Sequence, residues 1–255
     1  MIRHTLRYEL LTLRRNKRAR IFTLAFPVLL LVVLSSVSGD ATTTFGGHTV
    51  SLQRFFLPGV MAMSIVTTCF AAMVQIIVTR RHLGVFQRRR TTPVPAHVLI
   101  AAQTLGTTIL AAGAATVLLV VGKSGFGTGI GAGPLAAIAI TFVLGALCCC
   151  SIAFLVASVV PSPDTAQPVV QFIMFPILFV SGIWFSVDGM PAGLTAAADA
   201  LPVKHLADAL HQAAMASSFS DAIAPGHLAV LVAWGRGAAA LAARRFSWLP
   251  STATA

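Results

Sequence analysis

The chain has 255 residues, 56% of them hydrophobic and 10% charged, with a mean hydropathy of +0.86. That mix lies far from an ordinary globular domain and leaves little chain for a soluble one. Net charge is +11, yet no basic patch is interleaved with aromatics, so the charge reads as topology and anionic-lipid contact rather than nucleic-acid binding.

Residues 1–20 carry seven basic side chains (Arg3, Arg7, Arg14, Arg15, Lys17, Arg18 and Arg20) against Glu9. At 100° per residue, Ile2, Leu6, Leu10 and Leu13 fall within an arc of about 80°, as in an amphipathic helix. A basic amphipathic helix lies in the membrane interface, with its apolar side down and Arg toward lipid phosphates. With the apolar run that follows and Ser36-Val37-Ser38, it loosely imitates a cleavable signal peptide. The basic region is too long and too helical for that, and we read it as an interfacial helix entering an uncleaved span.

Uncharged apolar runs of about 20 residues are what a helix needs to cross the hydrocarbon core. Four are clear: 55–79, 98–122, 134–160 and 165–187. Two more, 21–38 and 227–243, make six spans. Pro27 interrupts the first, and Leu57-Pro58-Gly59 opens the second. Segment 80–97 holds Arg80, Arg81, Arg88, Arg89 and Arg90 with no acid, and the tail adds Arg244 and Arg245. Loops 39–54 and 123–133 are nearly uncharged, and loop 188–226 has Lys204 against four Asp. The positive-inside rule therefore places both termini and 80–97 in the cytoplasm and those loops outside. Pro161-Ser162-Pro163-Asp164 stops one helix and starts the next. In loop 188–226, with Pro191 and Pro202 as breaks, Leu194, Leu201, Leu206 and Leu210 recur at near-helical spacing, suggesting short helices that dip into the outer leaflet; an ordinary external loop with some helix is the competing reading. The fold class is thus an all-α polytopic membrane protein with six transmembrane helices and an N-terminal interfacial helix.

Chemistry-bearing motifs are few. Gly122-Lys123-Ser124 lacks the upstream Gly of a phosphate loop, because position 117 is Val, and it lies at the external end of a span. Cys148, Cys149 and Cys150 point about 100° apart on a helix and cannot jointly hold a metal. The seven His are scattered without ligand spacing, and no nucleophile–base constellation appears, so neither a catalytic residue nor a metal site is expected. No span contains Asp or Glu, which removes the usual coupling group of an ion-driven carrier. Arg236, midway along the last span, is an expensive placement and either snorkels, meets a bundle partner or touches substrate.

One cluster is a candidate substrate cavity. Pro176 breaks the fifth span, and Gln171, Phe172, Phe175, Phe179 and Ser181 follow at steps that let several share a face. Met61, Thr68 and Gln75 recur by sevens on the second span. Aromatic area with a few polar groups suits an amphiphilic ligand, in a central cavity between two copies of these helices closed outward by loop 188–226. Ordinary dimer packing is the competing reading of the same residues.

The order of features resembles the small six-span ABC-2 type permeases of the daunorubicin-resistance kind. The residues that carry this are Phe26-Pro27-Val28-Leu29-Leu30 and Leu57-Pro58-Gly59-Val60, then Gly84-Val85-Phe86-Gln87-Arg88-Arg89-Arg90-Thr91-Thr92-Pro93-Val94-Pro95. Phe175-Pro176 running to Ser181-Gly182-Ile183-Trp184-Phe185, Met190-Pro191, Leu201-Pro202 and Asp208-Ala209-Leu210 complete the set. The chain departs from the family at Arg81-His82-Leu83, where an acid often precedes the glycine. It departs again at Ser186, where Pro is usual, at His211, where Arg is usual, and at Arg236. The resemblance implies a bacterial cytoplasmic-membrane permease that pairs with a second permease chain, as homodimer or heterodimer, and docks two separate ATPase subunits. ATP and Mg would be held by those partners, with no cofactor on this chain. It further implies that Gly84, Val85, Phe86, Gln87, Arg88 and Arg89 form the coupling helix to the ATPase. The exported substrate would be amphiphilic: a drug, a lipid or a glycan-lipid. The alternatives are an ion-coupled carrier or channel, which would show an acidic or polar stripe inside a span, and a non-transporting assembly factor, which has no use for a coupling element.

Overall fold

In the computed structural model, α1 (Lys17–Ser38) leads into a hairpin of β1 (Thr42–Phe45) and β2 (His48–Ser51). The structure describes residues 17–39, 41–45, 48–85, 96–127, 130–184 and 191–245. Loop 39–54 is therefore more ordered than a plain connector. Antiparallel pairs run from Thr42 opposite Ser51 to Phe45 opposite His48.

The long helices α2 (Leu52–His82), α3 (Ala96–Phe126) and α4 (Ala132–Val159) follow, then α5 (Pro163–Val180). Beyond them are α6 (Ala192–Asp199), α7 (Pro202–Met215), α8 (Phe219–Ala222) and α9 (Pro225–Arg245). Among the described residues, α2, α3, α4 and α9 are long and apolar enough to cross a membrane, and Thr23–Ser38 is a shorter apolar helix. The chain is an integral, almost wholly helical membrane protein.

Local chemistry explains the joints. Between α4 and α5, Ser162 Oγ accepts from Thr165 N at 3.4 Å, and Thr165 Oγ1 accepts from Ser162 N at 3.3 Å. This reciprocal box, with Pro163 in the first turn, starts α5 with only three residues between it and the end of α4. α5 is shorter than the expected 165–187 span because it ends at Val180. There Ser181 Oγ donates back to the Ile177 carbonyl, and Gly182 at φ 72° turns the chain out of the helix. Within α2, residues Val66–Ala72 widen into a π-helix. The Thr67 hydroxyl donates to the carbonyls of Met63 at 2.9 Å and Ser64 at 3.1 Å, a side-chain competition that loosens the regular ladder.

The core lies where α2, α4, α7 and α9 meet. Small residues make the approach close, as helix packing in lipid requires. A Cβ on Gly235 of α9 would lie 3.4 Å from the Cα of Cys148 in α4. A Cβ on Gly145 of α4 would lie 2.4 Å from the Leu206 Cδ1 of α7. The short helix α7 is accordingly buried on most of its circumference, Lys204 and His211 included.

Candidate functional site: the arginine end, a buried helix and an apolar cavity

At the end of α2 that carries Arg80, Arg81 and His82, the Arg81 side chain is only 4% exposed. Its guanidinium donates to the Ala157 carbonyl at 2.9 Å and to the Val160 carbonyl. These belong to the C-terminal turn of α4, whose last carbonyls have no partner within the helix and favour a cation. Arg80 donates to Gln103 of α3, so adjacent arginines tie α2 to two different helices. Two residues after His82, Gly84 adopts φ 65° and ends the helical path. Of the expected coupling residues, Gly84 and Val85 follow directly on this anchored end, whereas Phe86, Gln87, Arg88 and Arg89 lie outside the described residues.

The expected cavity residues do not converge within one chain. Met61 and Thr68 are interior, 1% and 3% exposed. Ser181 is buried at the α5 terminus. Phe172, Phe175 and Phe179 face outward, the first 82% exposed, because the opposite face of α5 (Val170, Met174 and Leu178) takes the core. Gln75 donates to Gln167 Oε1 at 2.8 Å, and Gln171 Oε1 is buried without a hydrogen-bond partner. Arg236 is also on an exposed face of α9.

A separate apolar cavity of about 150 Å³ lies within the chain, on the other side of α5. Its walls are Val66 and Phe70 of the π segment, Ile173, Met174 and Ile177 of α5, and the α7 entrance at Leu201–Val203. Cys149 and Ile152 of α4 and Trp234 of α9 complete it. No polar side chain contributes.

α7 is positioned by three polar residues, Lys204, His205 and His211, that its apolar periodicity did not announce. Lys204 Nζ pairs with Asp208 at 2.8 Å and Asp199 at 2.9 Å. Burial pulls the ammonium down, but hydrogen bonds and charge from Asp208 and Asp199 outweigh it and leave Lys204 above the ordinary lysine value. His205 Nδ1 lies 2.7 Å from His227 Nδ1, which ties α7 to α9. His205 Nε2 contacts the Asp199 carbonyl at 2.9 Å. His211, fully buried, has Nδ1 at 2.8 Å from the Ala207 carbonyl and Nε2 at 3.0 Å from the Phe55 carbonyl of α2. Its ring also packs on Phe55 with centroids 4.5 Å apart.

Both His211 nitrogens thus face acceptors, and a neutral ring supplies only one hydrogen. Burial nevertheless pulls its pKa down, against the Ala207 and Phe55 carbonyls and the Asp208 charge, which favour the cation. A folded value below the unfolded value of about 6.5 means the unfolded chain takes up the proton first as pH falls. The His211 contribution is therefore fully present above that unfolded value and is lost as pH falls through the window beneath it. Thermal unfolding at pH 7.5 and 5.5 is expected to show lower stability at the acid value. His211→Gln is expected to flatten that difference; an unchanged slope would assign it to other groups.

Sequence reasoning missed Arg81 as a structural group, because its acceptors lie 76 and 79 residues away and are backbone atoms. It also did not single out the intrachain cavity, which lies against the opposite face of α5 from the expected residues. The aromatic residues drew attention, whereas Ala166, Val170, Met174 and Leu178, at helical spacing, marked the buried side. Cys148, Cys149 and Cys150 are all buried, together with Cys69, and no group of three or more metal-ligating side chains occurs among the described residues.

Comparison with known proteins agrees with this architecture. The chain is 28% identical over 188 residues to the "Daunorubicin resistance ABC transporter permease protein DrrB1" of Streptomyces coeruleorubidus. That alignment covers 72% of this chain and 64% of the relative, so the chain spans just under two thirds of the length of the curated protein it matches. The family model described as "ABC-2 type transporter" matches residues 2–215, a stretch that contains the α2 arginine end, the cavity walls except Trp234, and α7. On that match the chain belongs to the ABC-2 type transporter family.

Proposed function

We propose that this chain is the membrane permease subunit of an ATP-driven exporter, energised by separate ATPase subunits. In this reading it crosses the bacterial cytoplasmic membrane six times, with both termini and segment 80–97 in the cytoplasm. Two copies, or this chain with a second permease, would build the passage. The outward Phe172, Phe175 and Phe179 face would then meet the partner chain. The substrate is an amphiphile, a class that agrees with the drug-resistance name of the relative. The observation that carries this reading is the family match over residues 2–215. The anchored α2 end supports it, since a segment leaving a fixed point transmits a push into the bundle. An ion-coupled carrier is disfavoured, because among the described spans the only carboxylate is Asp164 in the first turn of α5.

The test is the cytoplasmic segment itself. Phe86→Ala combined with Arg88→Glu removes an apolar contact and reverses a charge at the expected docking surface. Membrane insertion is expected to persist while stimulation of the co-expressed ATPase and export are lost. Survival of both activities would remove residues 84–90 as the coupling element.

A further inference from the structure

We infer that the cavity between the π segment of α2, α5 and α7 is a binding site for the end of one phospholipid acyl chain. Its lining is wholly apolar, from Val66 and Phe70 to Ile173, Ile177 and Val203. Water needs two to four polar partners to occupy such a space, and none is offered. At about 150 Å³ the cavity falls in the range that accepts a benzene-sized apolar guest. One of its walls, Trp234, is 43% exposed on the outer face of α9. The medium against that face, midway along a membrane-crossing helix, is hydrocarbon. A chain end entering there exchanges one apolar contact for another and fills a void that would otherwise leave its walls without packing partners.

The walls give the site its meaning. Val66 and Phe70 lie on the π-helix Val66–Ala72, and π segments inside α-helices recur at functional positions. Leu201, Pro202 and Val203 form the start of α7, the helix whose opposite end holds His211 against α2. A lodged acyl chain therefore contacts a widened turn and a buried non-spanning helix together, and its presence favours the arrangement in which they stand around it. This site lies within one chain and does not depend on the exporter reading, so the two fail separately.

The experiment uses the full chain in nanodiscs of phosphatidylglycerol bearing a diazirine near the acyl terminus, with adducts located by mass spectrometry after illumination. Adducts at Phe70, Ile173, Ile177 or Val203 are expected to exceed those at Val120 and Leu147, which are exposed on α3 and α4. Filling the cavity from either wall, with Val66→Phe or separately Val203→Phe, is expected to reduce the cavity adducts about tenfold, the effect of losing burial of roughly two methylene groups. Adducts at Val120 and Leu147 should stay unchanged and report that the variant is folded. The inference is overturned if the wild-type chain shows no excess in the cavity over Val120 and Leu147, whatever the variants do, or if a folded filling variant keeps that excess.

Discussion

Arg81→Met is expected to lower the stability of the solubilised protein by about 3 kcal/mol, from the loss of hydrogen bonds made by a charged donor to buried acceptors. The side chain is almost fully enclosed, and its guanidinium serves the Ala157 and Val160 carbonyls together. Removing it leaves the end of α4 with unpaired carbonyls that no water reaches easily. Arg81→Lys should recover only part of the loss, because an ammonium is a point donor and lacks the planar fork that bridges two oxygens. Thermal unfolding in detergent checks the order wild type, Lys, Met. Equal stability of all three would show that the α4 terminus is satisfied without this residue.

Gly59→Ala is expected to be the most damaging single-methyl change, costing about 3 kcal/mol, the upper part of the usual range for overpacking. The added Cβ would stand 2.4 Å from the Ile183 carbonyl oxygen. That atom is backbone, held in the turn after Ser181 and the positive-φ Gly182, so it cannot swing aside as a side-chain end would. Gly113→Ala on α3, with nothing within 4 Å of the new methyl, is the matched control and should be near neutral. Accumulation and unfolding temperature of the two variants separate the effects. If Gly59→Ala behaves like Gly113→Ala, the α2 entrance and the Ile183 turn are not in rigid contact.

This contact also shows what was legible beforehand. Leu57-Pro58-Gly59 and Ser181-Gly182-Ile183 were each recognisable as family-like runs, but nothing in their composition states that one glycine abuts the other segment's carbonyl. Apolar run length marked α2, α3, α4 and α9, the four described helices long and apolar enough to cross a membrane, because the bilayer imposes a minimum length that a sequence must meet. Helix ends were harder, since α5 stops at Val180 through a serine back-bond and a glycine turn while the apolar composition runs on to 187. Gly46-Gly47 between Thr-rich flanks was a readable hairpin signal, yet a span-by-span reading passed over it. The face of α5 that lines the cavity was legible in principle from its buried spacing. The cavity itself was not, because its walls come from α2, α4, α5, α7 and α9 together.

The Arg81 bridge joins the whole length of α4 to the end of α2. A helix of 28 residues is about 42 Å long at 1.5 Å per residue, and its C-terminal end is pinned to the last turn of α2. A displacement of that turn which tilts α4 by about 5° carries the far end sideways by about 4 Å over that length. Gly133 at the far end lies against Phe219, close to α7, and the short Pro161-to-Pro163 link passes the same motion to α5 at the near end. In the proposed exporter, a push at residues 81–84 would therefore be felt at both ends of α4, next to the helices that surround α7.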